Sequence, residues 1–78
     1  MAALLVEDGI EYVVYWSGGY VKLSIDGATA TNAFALAEES GLSIVGYPDG
    51  RLCIVYQDSD GDPQRKYSSD GGTTFTDS

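Results

Sequence analysis

DGRLCIVY, Asp49 to Tyr56, decides the fold, because the chain has already spelled it once as DGIEYVVY, Asp8 to Tyr15. The shared pattern is Asp-Gly-x-x-x-[Val/Ile]-Val-Tyr. In each copy a turn-forming Asp-Gly pair opens a run of β-branched and aromatic residues, the composition of a strand. The runs Ile10–Trp16 and Leu52–Gln57 are nearly unbroken in apolar residues, which suits strands covered on both faces. A second correspondence follows, between Ser24-x-Asp26-Gly27 and Ser68-x-Asp70-Gly71. The extra residues of the second copy fall in the loop between, where SGGY becomes DSDGDPQRKY. Insertions collect in loops, so the chain reads as one unit used twice.

Shorter strands are expected at Tyr20–Ser24 and Gln64–Ser68, while Ala2–Val6 and Leu42–Tyr47 precede the two Asp-Gly turns. NAFALAEESG, Asn32 to Gly41, has the marks of a short helix: an Asn N-cap, helix formers and a Gly stop. The repeat asks instead for a closing strand there, with Phe34 and Leu36 on one side. Propensity is a weak guide over so few residues, and the strand is preferred. The expectation is an all-β chain, residues 1–78 forming a single module. Residues 1–40 form its first repeat and 41–78 its second, each of about four strands.

A chain of 78 residues builds a marginal core and needs a staple. Cys53 is the single cysteine and histidine is absent, so an internal disulfide and the common zinc sites and histidine triads are excluded. Association with copies of itself is the remaining staple. The formal charge of −8 opposes binding to phosphate backbones and anionic membranes, so neither nucleic acid nor membrane is an expected partner. MAALLVEDG lacks a basic region and a long apolar run, and no stretch approaches the about 20 apolar residues of a spanning helix. The chain is therefore expected to be soluble, without a signal peptide of its own.

Ser68-x-Asp70-x-Gly72-x-Thr74-Phe75 resembles the Asp-box, or BNR repeat, of sialidase-like β-propellers, with every defining position met. The earlier copy keeps Ser24 and Asp26 but has Ala28, Ala30 and Thr31 where glycine, threonine and an aromatic are expected. The resemblance implies a structural corner remote from any catalytic centre, and blades of four strands each. Propellers close on about four to eight blades. Two blades leave two apolar faces open, which a head-to-tail ring of identical chains would cover. The resemblance favours six blades as a trimer, with eight as a tetramer second.

Trp16, Tyr20 and Tyr47 are the aromatics nearest loops and the candidates for stacking on a sugar ring. Tyr12, Tyr15 and Tyr56, inside strands, are expected in the core, and Cys53 as a buried small hydrophobe. Asp58, Asp60 and Asp62 alternate like the opening of a calcium loop, but Pro63-Gln64-Arg65-Lys66 follows where such a loop needs a glycine and a bidentate acid. An acidic turn is the better reading. Sialidases of the resembling class use an arginine cluster, a tyrosine nucleophile and acids. This chain offers only Arg51 and Arg65, without the arginine-bearing motif, so no enzyme and no cofactor is expected. The expected function is a lectin-like ring binding neutral glycans. A structural or protein-interaction propeller is the alternative, and a sialidase-like fragment a distant third.

Overall fold

The structure, a computed structural model, describes residues 2–38 and 41–77. Seven strands are present among them: β1 Ala2–Glu7, β2 Ile10–Ser17, β3 Tyr20–Ile25, β4 Thr31–Ala35, β5 Leu42–Gly46, β6 Leu52–Gln57 and β7 Pro63–Ser68. They form two antiparallel meanders, a four-stranded sheet ordered β1-β2-β3-β4 and a three-stranded sheet ordered β5-β6-β7. Tight turns set the registers. Asp8-Gly9 (φ 53° and 79°) and Gly18-Gly19 (φ 61° and 88°) take two successive left-handed residues, the geometry that matches strand twist in a two-residue hairpin.

The segment with helical composition is a strand where it pairs. β4 lies against β3 with Leu23 opposite Thr31 and Tyr20 opposite Ala35, the register slipping once at Val21/Lys22. The Leu36 amide continues the ladder by donating to Gly19 O at 2.9 Å. Tertiary pairing overrides propensity because it lets Ala33, Phe34 and Leu36 cover the core. Glu39 and Ser40, the end of that segment, lie outside the described residues.

The sheets pack face to face. Val14, Val21 and Leu23 of the first meet Leu42, Ile44 and Ile54 of the second, all buried, and β1 lies beside β5. Phe34 bridges the units, its ring centroid 5.0 Å from Tyr56 and 6.4 Å, edge-on, from Phe75. Such aromatic pairs add stabilisation beyond the area they bury, about 1 kcal/mol each. Cys53 is buried, as expected of a small hydrophobe.

Two expectations need correction. Tyr12 and Tyr56 join the core, but Tyr15 does not; side chains alternate along a strand, and Tyr15 points to the other face of β2 with Val13. The second unit also lacks a full fourth strand among the described residues. After the corner at Ser68–Phe75 only Thr76 pairs back, exchanging amide–carbonyl bonds of 2.7 and 2.8 Å with Tyr67. The corner residues are tied to one another and are not free to extend.

Candidate functional site

The Ser68–Phe75 corner is the most tightly bonded loop of the molecule. Ser68, fully buried at the end of β7, donates its hydroxyl to Asp70 Oδ1 at 2.7 Å and accepts the Gly72 amide at 2.9 Å. Asp70 Oδ1 also accepts the Thr74 amide at 2.9 Å, and Oδ2 accepts the Thr74 hydroxyl at 2.6 Å. These donors, the Thr74 hydroxyl first, hold the Asp70 carboxyl at a pKa of about 2, below its ordinary 3.8. Phe75 leaves the corner onto the core. The small polar residues bond to one another and to the amides of the turn.

The earlier copy builds a different turn. Ser24 donates to the Ala28 carbonyl at 2.7 Å, and Asp26-Gly27 (φ 54° and 78°) make a two-residue reversal. Without glycine, threonine and an aromatic at Ala28, Ala30 and Thr31, no comparable cage forms. Ser24 also sits opposite Val13, two residues deeper in its sheet than Ser68 opposite Leu52, because β2 pairs with β3 in another register.

Asp70→Ala should therefore lower the melting temperature more than Asp26→Ala, a comparison thermal unfolding makes directly. A depressed carboxyl pKa contributes stability that is present above 3.8 and lost as pH falls towards 2. The Asp70→Ala variant should accordingly lose less stability than the parent between pH 4 and pH 2. Equal melting losses for the two aspartates would place the strong corner wrongly.

The three aromatics singled out as sugar platforms are not brought together. Trp16 turns inward, packs on the core and donates Nε1–H to Leu36 O at 2.9 Å. Tyr20, 42% exposed, follows the same hairpin but faces the opposite side of the sheet. Tyr47 lies in the β5–β6 connection, at the other end of the module. Its ring carries the Arg51 guanidinium carbon 5.2 Å from the centroid. The neighbouring Cys53 thiol, then burial, raises the phenol above its ordinary pKa of 10.0. Arg51 in turn pairs with Asp49 Oδ2 at 2.8 Å, so it decorates its own turn.

Asp58, Asp60 and Asp62 do converge, with carboxylate oxygens within 4.8 Å of one another. Asp58 is already engaged: Oδ1 accepts the amides of Asp60 and Asp62 at 3.0 Å each, and Oδ2 accepts Gln64 Nε2 at 3.0 Å. Hydrogen bonds from this loop, that of the Asp62 backbone first, lower its pKa. Asp58 thereby caps the turn that carries the cluster.

A site that the sequence reading did not name lies where the β1–β2 and β5–β6 turns meet. Glu7, Asp8, Ile10 and Tyr12 from the first sheet and Tyr47, Pro48, Gly50 and Leu52 from the second enclose a cleft of about 110 Å³. Glu7 ends β1 on its inward face, and its carboxylate rests directly over Gly46 of β5. A Cβ on Gly46 would stand 1.4 Å from Glu7 Oε2. The absent side chain is what admits the carboxylate. Glu7 has no hydrogen-bond or ion-pair partner among the described residues, so its oxygens remain available as acceptors. The available signal was an acid at an inward position of an otherwise apolar strand. A larger recess of about 480 Å³ lies at the opposite end, beside Leu36, Glu38, Tyr56 and Asp58. Carboxylates around a small cleft can bind a neutral polyhydroxylated ligand by accepting from its hydroxyls. No protein-family model matches the chain, and neither a curated protein nor a solved structure is similar to it at a significant level.

Proposed function

We propose that the chain is a non-catalytic, carbohydrate-binding module of two β-propeller blades of the Asp-box class, completed into a ring by copies of itself. Six blades in a trimer is the favoured count. The propeller reading is supported by two successive antiparallel meanders whose first strands, β1 and β5, lie side by side, and by the bonding of the Ser68–Phe75 corner. The carbohydrate reading rests on one observation: the cleft of Glu7, Asp8, Tyr12 and Tyr47 between the two sheets. The cleft is small enough to hold one edge of a monosaccharide, and repetition around a ring would raise avidity without new contacts. Arg51, engaged by Asp49, and Arg65, on the neighbouring strand, do not form the arginine cluster that a sialidase-like reaction requires.

Calorimetric titration with galactose, glucose and N-acetylglucosamine should give affinities on the order of millimolar. Sialic acid should bind no better, since each chain carries −8 and the cleft contributes carboxylates. A clear preference for sialic acid would revive the sialidase-derived reading. Absence of binding to every glycan on an array would leave the protein-interaction reading. That alternative is favoured by the exposed apolar residues Leu4, Val6 and Val45.

A further inference from the structure

Each sheet has one face in the shared core and one face open. On the first sheet the open face carries Leu4 and Val6, 60% and 58% exposed, beside the half-buried Val13 and Tyr15. On the second it carries Val45, 44% exposed, with Val55 and Tyr67 half-buried beside it. Both open faces mix these apolar residues with polar ones, Glu11, Lys22 and Ser24 on the first and Ser43 and Arg65 on the second, and so are less polar than a sheet face in water.

The internal repeat says what covers them. Superimposing Asp8–Tyr15 on Asp49–Tyr56 places Tyr12 and Val14 on Cys53 and Val55, and Val13 and Tyr15 on Ile54 and Tyr56. In the fold, Tyr12 and Val14 face the core while Cys53 and Val55 face outward. Val13 and Tyr15 face outward while Ile54 and Tyr56 face the core. The two repeats therefore present opposite faces to each other. The contact already made within the chain joins one repeat face, Tyr12/Val14, to the other, Ile54/Tyr56. What the chain's own other sheet leaves uncovered is the second example of each: the Val45/Val55 face of the second sheet, on which Cys53 is already buried by its neighbours, and the Val13/Tyr15 face of the first.

We propose that the open face of the second sheet docks on the open face of the first sheet of another copy, repeating between chains the pairing that exists within one. The inference deepens the ring reading and rests on it, by naming which faces meet and in what order. The contact is head to tail: a two-fold pairing of one open face with itself would join like repeat faces, a combination the chain does not use. The first open face carries both Glu11 and Lys22 and the second Arg65, so the order rests on the repeat and not on charge. A head-to-tail contact leaves each added copy with one face still open, so the assembly ends only when a ring closes.

Leu4→Lys spoils the first face and Val45→Lys the second. Both positions are exposed, and lysine reduces the net negative charge, so added repulsion does not account for lost assembly. Light scattering after gel filtration should give the mass of one chain, 8.3 kDa, for either variant alone. An equimolar mixture should give two chains and nothing larger, because each variant retains the face that the other has lost. If the parent assembles but Val45→Lys leaves that assembly intact, or if the mixed variants stay apart, the face assignment is overturned while a ring by other faces stands. A folded single-chain parent overturns the ring and this inference together. Should either lysine variant lose its β-sheet circular dichroism, Leu4→Thr and Val45→Thr, which suit strands, carry the same comparison.

Discussion

Gly72→Ala should lower the melting temperature by more than about 10 °C, the largest stability loss expected from any single methyl group in this chain. Two independent costs add there. Gly72 holds φ at +101°, outside the ordinary left-handed well, where a Cβ costs about 1 to 2 kcal/mol. The added carbon would also lie 2.8 Å from Leu23 Cδ2 and 3.1 Å from Ile25 Cδ1. Leu23 is fully buried, so it has little room to yield, and forced repacking of a filled core costs about 1 to 3 kcal/mol more. In a domain of this size each kcal/mol moves the midpoint by about 4 to 8 °C. Gly71→Ala is the control, since Gly71 also has positive φ, +76°, but nothing within 4 Å of its Cβ position. It should cost about 1 kcal/mol. If thermal unfolding gives the two variants equal losses, Gly72 does not seat the corner against the first sheet.

If the cleft binds sugar as proposed, Gly46→Ala should weaken that binding about tenfold while leaving the melting temperature nearly unchanged. Gly46 is an ordinary strand residue in β5, paired with Leu52, so alanine fits its backbone. The new methyl takes the volume now filled by the Glu7 carboxylate, whose Oε2 lies 1.4 Å from it. A flexible side-chain end can leave, so the cost to folding stays within about 1 kcal/mol. Glu7 then points away from the cleft, and the ligand loses an acceptor worth about tenfold, or 1.4 kcal/mol. Glu7→Gln keeps the shape and isolates the charge. Titration of both variants with the tightest-binding neutral sugar decides the matter: parent-like affinity for Gly46→Ala would remove the cleft as the binding site.

Periodicity and turn chemistry carried most of the architecture. The strand from Leu52 to Gln57 and the turns at Asp8-Gly9 and Asp26-Gly27 are local properties, set by β-branched runs and by residues that tolerate positive φ. The Ser68–Phe75 corner was legible for the same reason, because its donors and acceptors lie within a few residues of one another. What escaped was made between distant segments. Trp16 reads as a loop aromatic until Leu36, brought over by β4, offers its indole N–H an acceptor. Glu7 lies beyond the strand expected at Ala2–Val6, and the glycine that seats its carboxylate comes from β5, 39 residues on. Tyr15 was misassigned because the unbroken apolar run reads as a strand covered on both faces, whereas the chain's own core covers only the Tyr12/Val14 face of β2. A strand has two faces, and only pairing decides which of them each unit buries.

The slip in pairing at Val21/Lys22 also bears on how the protein resists fibril formation. A bare outer strand is a template on which other chains can polymerise through backbone hydrogen bonds. Here β4 is short and is kinked out of regular register by that slip. β7, one outer strand of the second sheet, begins with Pro63, carries Arg65 and Lys66, and is partly capped by Thr76 and by the Lys66–Asp77 ion pair. Each device blocks lateral strand addition. Cross-β stacking is thereby opposed at β4 and β7, so a copy that approaches these two edges meets side chains in place of a bare row of backbone hydrogen-bonding groups.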